Sequence, residues 1–206
     1  MGKNFEYANV SLKAWPSCRV THPLIQVAIT LAEENIVSCE EKENIHVVVE
    51  PINRMLCESL ESKRTPKTII DAKFSLPFTV ATAFINKRVG LDSFSEEKLL
   101  SREVLSLAKK ITYKVDMSCG PIEGRMLIKT KDGKVYSKKI NSNELYGSLS
   151  NPLTKELLIG KFTECSKYSV LKLCEDTVKE LVELILNIEN VSDVKDITSN
   201  LYGQNP

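Results

Sequence analysis

The sequence has almost no net charge, because its 28 Lys and Arg residues are balanced by 27 Asp and Glu residues. A nearly neutral chain lacks the overall positive field that holds nucleic acid or an anionic membrane surface. It also lacks an apolar run of about eighteen residues or more, the length that a membrane-spanning helix requires. We therefore expect neither a nucleic acid nor a membrane partner, and any anion must be met by a local group of side chains.

The six cysteines are widely spaced, form no CxxC pair and follow no secretory leader. This pattern predicts reduced thiols in a cytoplasmic protein rather than a disulfide framework. Cys18 stands four residues before His22, but the pair lacks the further ligands of a zinc site, so we expect no metal and no other cofactor. We interpret the cysteines as small residues of the core.

Short motifs of known catalytic or nucleotide-binding sites are also missing. The sequence has no GxGxxG, no P-loop, no GxSxG elbow and no HExxH. Composition and short motifs by themselves leave the function undecided.

Apolar residues at helical spacing predict several helices. One begins at Pro23 with Thr21 or His22 as its cap, and another begins near Ser75 with Pro77 in its first turn. Further helix starts are predicted at Ser95 and Ser101, and more helices follow after residue 151.

Between these helices the pattern changes to strands. The β-branched run Ile45–Val49 predicts a buried strand, whereas residues 53–70 are polar and predict a loop. In Lys131–Lys134 the Asp-Gly pair favours the positive φ angles of a tight hairpin. This order predicts an α+β two-layer sandwich, with a mixed or antiparallel sheet, helices packed on one face and C-terminal helices. The further predicted strands are residues 111–117, 124–130 and 134–140.

The segment from Lys13 to Pro23 is the most informative for chemistry. It places Lys13, Arg19 and His22 directly before a helix. The N–H groups and the dipole of a helix start, together with two cations, suit a carboxylate. The alternative is that the basic residues are solvated, that His22 only caps the helix, and that the Trp-Pro pair in this segment fills the core.

Two other places could contact an anion. Residues 71–77 form a polar entry into a helix, where Ser75 and backbone N–H groups could bind an anion. In the alternative, Asp71 or Ser75 caps the helix and Lys73 forms an ion pair. Arg54 is a third possible anion contact, and a solvated loop arginine is the alternative there.

Three ordered segments resemble the second domain of the MmgE/PrpD family: LKAWPSCRVTHP, DAKFSLPF and GLDSF. The resemblance continues through the KDGK hairpin, NPLTKELLIGKF and the closing helix with its DVKDI tail, so it covers nearly the whole chain from about residue 7. It implies that residues 1–12 are a linker from an N-terminal helical domain that is missing here, and that residues 13–206 are the C-terminal α+β domain.

The family includes 2-methylcitrate dehydratases, cis-aconitate decarboxylase and an iminodisuccinate epimerase. These enzymes abstract a proton next to a carboxylate of a di- or tricarboxylate without a metal. The resemblance implies that this chain is the substrate-binding half of a hydro-lyase like 2-methylcitrate dehydratase, an enzyme of propionate catabolism, and that it is inactive without the helical domain. The alternatives are a family isomerase, epimerase or decarboxylase, or a non-catalytic split-gene module that assembles with a helical partner chain or as a homodimer.

The resemblance also implies roles for residues. Lys13 matches a pocket lysine that neutralises a substrate carboxylate or the enediolate, or moves a proton, and His22 is the second catalytic candidate. Some members carry histidine at Cys18, so a proton-transfer role there does not carry over. The decarboxylase branch has a tyrosine near Arg54, which argues against that branch. The substrate-binding candidates are Lys13, Ser17, Cys18, Arg19, Arg54, Lys73 and Ser75.

Overall fold

The computed structural model describes residues 3, 5–34, 42–171 and 173–202. The chain divides into two units, residues 1–152 and 153–206. The first unit contains a sheet and the helices that cover it, and the regular elements in the described residues of the second are helices.

Three helices of the first unit begin where the capping serines predict. The hydroxyl groups of Ser75, Ser95 and Ser101 each accept a hydrogen bond from the N–H group three residues later, which confirms these three starts. The helices are α1 (His22–Glu33), α2 (Leu60–Arg64), α3 (Ile69–Lys73), α4 (Leu76–Asn86), α5 (Glu96–Leu99) and α6 (Arg102–Lys109).

A mixed four-stranded sheet lies beside them. Its strands are β1 (Lys42–Val49), β2 (Ile111–Val115), β3 (Gly124–Thr130) and β4 (Val135–Ile140). The order is β2-β1-β3-β4, with β1 and β2 parallel and the other pairs antiparallel. The predicted mixed sheet is therefore confirmed.

One face of the sheet is buried and the other is largely polar. Ile45, Val47 and Val49 of β1 are at most 1% exposed, whereas His46 between them is partly exposed and contacts Thr112 across the sheet. Since side chains of a strand alternate between the two faces, the helices cover one face. Helix α1 packs on β3 and β4, and α4 packs on α1. This arrangement confirms the two-layer α+β fold.

Residues 53–70 are not a continuous loop, so that prediction is wrong. A 3-10 helix runs over Pro51–Leu56, and α2 follows it. At the start of α3, Thr68 and Asp71 exchange hydrogen bonds as a capping box. A five-residue helix has little more than one turn, which is too short for an apolar period to be recognised.

The hairpin between β3 and β4 is confirmed, with Lys129 opposite Val135. Its turn differs from the prediction in one respect. Among residues 131–134 only Gly133 has a positive φ, at 86°. Asp132 contributes to the turn through its side chain, because its carboxylate accepts a hydrogen bond from the Thr130 hydroxyl group.

The second unit contains the predicted C-terminal helices. They are α7 (Lys155–Ser166), α8 (Glu175–Leu186) and α9 (Lys195–Ser199). On the apolar face of α8, Val178 and Leu181 are buried, but Ile185 is 45% exposed. The unit therefore covers only part of this face.

The prediction that the cysteines belong to the core holds for two of them. Cys57 and Cys119 are buried, and burial raises the pKa of the Cys57 thiol to about 12. Cys165 and Cys174 are exposed, so the interpretation is wrong for these two. Cys39 lies outside the described residues.

Two kinds of feature are absent from the described ranges. In them, no helix has both the length and the hydropathy that crossing a membrane requires. The same ranges contain no group of three or more His, Cys, Asp or Glu side chains placed to hold a metal ion.

Candidate functional site

The basic segment before α1 is attached to two distant parts of the first unit. The Leu12 N–H group donates to the Gly147 carbonyl at 2.8 Å, and the Cys18 N–H group donates to the Lys73 carbonyl at 3.1 Å. One end of the segment is therefore fixed to the loop after β4, and the other end is fixed to the end of α3.

Gly147 makes the first attachment possible. Its φ is +78°, a conformation that L side chains rarely adopt, and a Cβ atom there would lie 2.2 Å from the Leu12 carbonyl oxygen. The close approach of the two backbones therefore requires glycine.

Replacing Gly147 by Ala is expected to lower the free energy of unfolding by about 2–4 kcal/mol, since strain at φ adds to the collision with Leu12. Urea unfolding followed by circular dichroism measures the change. Gly133→Ala is the matched control, because its φ is +86° but nothing lies within 4 Å of the added Cβ atom. That variant should lose only about 1 kcal/mol. Equal losses in the two variants would mean that the contact with Leu12 contributes nothing.

Neither Thr21 nor His22 caps α1 with its side chain, so this prediction is wrong. The Thr21 hydroxyl donates to the Cys18 carbonyl at 2.8 Å. Since a hydroxyl has one proton, the Ser17 hydroxyl must be the donor in its 2.8 Å contact with Thr21. These two bonds stabilise the turn before the helix instead of the helix end.

Arg19 and His22 are in direct contact. Arg19 Nη1 lies 3.2 Å from His22 Nδ1 and also 3.2 Å from the carbonyl oxygens of Leu12 and Tyr146, so three acceptors share its two N–H groups. The His22 ring is 0% exposed and packs edge-on against Trp15, with ring centroids 5.1 Å apart. Trp15 itself is a core residue, which agrees with the alternative that the Trp-Pro pair of this segment fills the core.

The electrostatic environment keeps His22 neutral. Burial, followed by the cations of Arg19 and Lys13, lowers the pKa of the ring to about 3, and the Ser17 and Trp15 carbonyl groups oppose this shift only in part. Burial also lowers the pKa of Arg19, which nevertheless stays charged at neutral pH.

Part of the Arg19 guanidinium has no partner. Within the described part of the chain, Arg19 has no acidic neighbour, and its buried Nε and Nη2 atoms have no acceptor. An unpaired buried N–H group costs about 1–3 kcal/mol, and more when it is charged. Nε and Nη2 form one edge of the guanidinium, whose parallel N–H groups match the two oxygens of a carboxylate. This edge is the candidate anion contact.

Lys13 lies at the surface beside this pair. Its ammonium donates to the Ser17 carbonyl at 3.2 Å, and its charge is close enough to lower the pKa of His22. The structure thus brings Lys13, Arg19 and His22 together, as the sequence predicts. Their catalytic and binding roles stay predictions.

Ser17 and Cys18 belong to the same turn but contribute mainly to its structure. Ser17 is 5% exposed and uses its hydroxyl on Thr21. Cys18 is partly exposed, and its backbone groups hold the turn on both sides. Contact of either side chain with a substrate stays a prediction.

Ser75 and Asp71 have capping roles. The Ser75 hydroxyl accepts from the Phe78 N–H group at 3.1 Å and donates to the Lys63 carbonyl, and the residue is 0% exposed. Asp71 completes the capping box of α3. The capping alternative is therefore confirmed for Ser75, and Asp71 caps the preceding helix instead of α4.

Lys73 attaches the basic segment through its backbone, since its carbonyl accepts from Cys18. Its ammonium lies 5.6 Å above the centre of the Phe94 ring. From the sequence, the alternative to an anion contact was that Lys73 forms an ion pair. Within the described ranges the structure shows this cation–π contact for Lys73 and no ion pair. Its contact with a substrate also stays a prediction.

Arg54 lies on the exposed segment after β1 and is paired with an acid. Its Nε is 2.6 Å from Glu58 Oε1, and the Tyr113 hydroxyl donates to the same oxygen at 2.9 Å. In the part of the chain that the structure describes, no hydrogen bond or ion pair joins Arg54 to Arg19 or His22. Its role as a substrate contact stays a prediction with no geometric support.

The site also depends on residues that the sequence did not indicate. The Gln26 side chain donates to the Glu144 carbonyl at 3.0 Å and accepts from the Tyr146 N–H group at 2.8 Å. This amide holds the loop after β4 against α1, where the Tyr146 carbonyl meets Arg19. The partners are more than a hundred positions apart, so no local pattern could have shown the contact.

The chain is similar to known proteins in two comparisons. Residues 15–187 match the profile of the MmgE/PrpD C-terminal domain. Cis-aconitate decarboxylase of Mus musculus is 25% identical over 143 residues, which are 67% of this chain and 28% of that enzyme. The Homo sapiens enzyme of the same name is 25% identical over 141 residues, 66% of this chain and 28% of its own length. The chain thus spans less than a third of the length of these curated relatives.

Proposed function

The chain belongs to the MmgE/PrpD family, whose C-terminal domain it matches, and from this premise we propose that it is the carboxylate-binding part of a metal-independent lyase. The substrate is a di- or tricarboxylate, and the reaction is the loss of water, as in 2-methylcitrate dehydratase. The observation that carries the proposal is the Arg19 guanidinium edge, which is buried and has no acceptor among the described residues.

Arg19 would fix one substrate carboxylate through its Nε and Nη2 groups. Because both atoms are buried, a carboxylate that engages them has to displace part of the cover above them. The Arg19 Nη1 atom is held by two carbonyl groups and by His22, so the orientation of the guanidinium is set before the substrate binds. Such preorganisation lowers the entropic cost of binding.

The chemistry then requires charge stabilisation at a second carboxylate. A base removes the proton next to this carboxylate, the electron pair forms an enediolate, and the hydroxyl on the neighbouring carbon leaves as water after it receives a proton. The Lys13 cation would stabilise the enediolate. We place the base and the acid in the helical domain that the family resemblance implies, either in the same polypeptide or in a partner chain.

A second candidate reaction is the decarboxylation of an unsaturated tricarboxylate. The two curated relatives, both named cis-aconitate decarboxylase, favour it. Carboxylate recognition by Arg19 would be the same, but a carbon–carbon bond would break and carbon dioxide would leave. Arg54 stands near the position where that branch has a tyrosine, and for this reason we put dehydration first.

The partner and the location follow from the same proposal. A helical domain or a second copy of the chain would complete the site, and free thiols at the described cysteines suit the cytoplasm. A non-catalytic module that binds carboxylates without turning them over is the alternative outside the enzymes.

The proposal predicts that the 206-residue chain alone converts neither 2-methylcitrate nor cis-aconitate at a useful rate. Addition of a helical domain encoded in the same or a neighbouring reading frame should raise turnover by at least about 10²–10⁴-fold, because a single general acid or base group is worth that much. Product analysis by NMR separates loss of water from loss of carbon dioxide. Full activity of the chain alone would contradict the shared site, and tricarboxylate binding without turnover in either sample would favour the non-catalytic module.

A further inference from the structure

The contact between Arg19 and His22 fixes the tautomer of the imidazole. A guanidinium nitrogen has only N–H groups and cannot accept a hydrogen bond. Since Arg19 Nη1 lies 3.2 Å from His22 Nδ1, Nδ1 must present its lone pair, and the single proton of a neutral ring must reside on Nε2. Nε2 is itself buried and has no hydrogen-bond partner in the described part of the chain.

We propose that His22 is a positioning residue that, as the Nε2–H tautomer, holds the Arg19 guanidinium so that its Nε and Nη2 edge is aligned for a carboxylate. This inference rests on the proposed role of Arg19 in carboxylate binding. His22 acts through Arg19 instead of touching the substrate, because its ring is 0% exposed and lies against Trp15. It would thereby have a structural role at the place where the sequence suggested a catalytic one.

The surroundings of His22 support a permanent acceptor at Nδ1. The charged groups nearby on its own segment are Lys13 and Arg19, and both disfavour a charged ring. The elements that hold this segment also carry Asp71, Lys73, Glu144 and Tyr146. Lys73 and Tyr146 hold the segment through their carbonyl groups, whereas the Asp71 and Glu144 carboxylates accept hydrogen bonds within their own segments, from Thr68 and Asn141. Among the described residues no carboxylate pairs with His22. Only the Ser17 and Trp15 carbonyl groups favour an imidazolium, which would repel Arg19, and burial and the two cations outweigh them.

Two substitutions separate the acceptor from the bulk of the ring. His22→Phe keeps an aromatic ring against Trp15 but removes Nδ1. His22→Asn loses the ring but provides an amide oxygen near the position of Nδ1. We expect His22→Phe to weaken the binding of cis-aconitate to the chain about tenfold, because it loses the hydrogen bond from the charged Arg19 Nη1 group. His22→Asn should keep most of the affinity, because its amide oxygen can still accept this hydrogen bond. Isothermal titration calorimetry measures both.

The tautomer can be read without any ligand. In ¹⁵N-labelled protein, Nδ1 of His22 should give a pyridine-type shift and Nε2 a pyrrole-type shift, with His46→Gln used to assign the two histidines. The pattern should persist from about pH 5 to pH 8, because the pKa of His22 lies at about 3. In Arg19→Gln the fixed tautomer should give way to a mixture.

Acid unfolding gives an independent test of the buried neutral ring. Unfolded His22 has its ordinary pKa of 6.5, whereas the pKa of the folded ring is about 3. Between these two pH values the unfolded ring binds a proton and the folded ring does not. Stability is therefore lost as the pH falls through this window. His22→Phe and His22→Asn should both lose less stability than the native chain over the same window.

The outcomes distinguish the two proposals. A pyrrole-type Nδ1 in the native chain, or equal affinity in His22→Phe and the native chain when the latter binds cis-aconitate, would overturn the role of His22. The expected tautomer in a chain that binds no tricarboxylate at all would leave the Arg19–His22 contact intact but refute the proposed function, and with it the positioning role. Loss of affinity in His22→Phe with retention in His22→Asn would support both.

Discussion

Replacing Arg19 by Gln is expected to weaken the binding of a tricarboxylate to the chain by about 10–100-fold, because hydrogen bonds to a charged group are worth about 1.5–3 kcal/mol. The guanidinium edge has no other partner in the described residues, so the loss falls on the ligand and not on an internal ion pair. Isothermal titration with cis-aconitate and 2-methylcitrate at constant ionic strength measures the change. Ionic strength matters because salt screens the partly exposed charges.

Two further variants show whether the loss is specific. Arg19→Lys keeps the charge but lacks the paired N–H groups, so its affinity should lie between those of the native chain and Arg19→Gln. Arg102→Gln removes an exposed arginine from α6 and should leave binding unchanged. Unfolding is measured alongside, because Arg19 also holds the Leu12 and Tyr146 carbonyl groups. Equal affinities in Arg19→Gln and Arg102→Gln would remove Arg19 from the site.

Much of the fold could be predicted because its signals are local. The β-branched run Ile45–Val49 and the apolar faces that follow Ser75 and Ser101 carry their period within a few residues of each other. Helices α2 and α3 were missed since five residues show no period, and α3 depends on the Thr68 and Asp71 caps more than on an apolar face. The four-residue α5 was predicted all the same, because two acidic residues follow the Ser95 cap, whereas Thr68 was not recognised as a cap.

The candidate site divides in the same way. Lys13, Arg19 and His22 could be grouped because they lie within ten positions of one another before one helix. The sequence could not show that Arg19 contacts His22, since both were expected to face an anion. Gly147 and Gln26 were missed because their hydrogen-bond partners are distant in the chain. No local sequence pattern around a glycine or a glutamine indicates such a distant contact.

Replacing Lys13 by Ala in the enzyme completed by its helical domain is expected to lower kcat by about 10²–10⁴-fold, because a cation or proton donor at the enediolate acts mainly in the transition state. The change in KM should be smaller, since Lys13 lies at the surface and a single exposed charge adds little to ground-state binding. Steady-state kinetics give both constants. Lys109→Ala, at an exposed position on α6, is the matched control.

Lys13→Arg then decides which role the lysine has. Arginine keeps the positive charge but does not lose its proton at neutral pH, so it can stabilise an enediolate and cannot act as a base. If Lys13 only stabilises charge, Lys13→Arg should recover a large part of the rate that Lys13→Ala loses, with the pH profile unchanged. If Lys13 moves a proton, Lys13→Arg should be as slow as Lys13→Ala, and one limb of the pH profile should disappear. Native turnover in Lys13→Ala would contradict both roles and would leave Arg19 as the one cation of this segment with a part in the reaction.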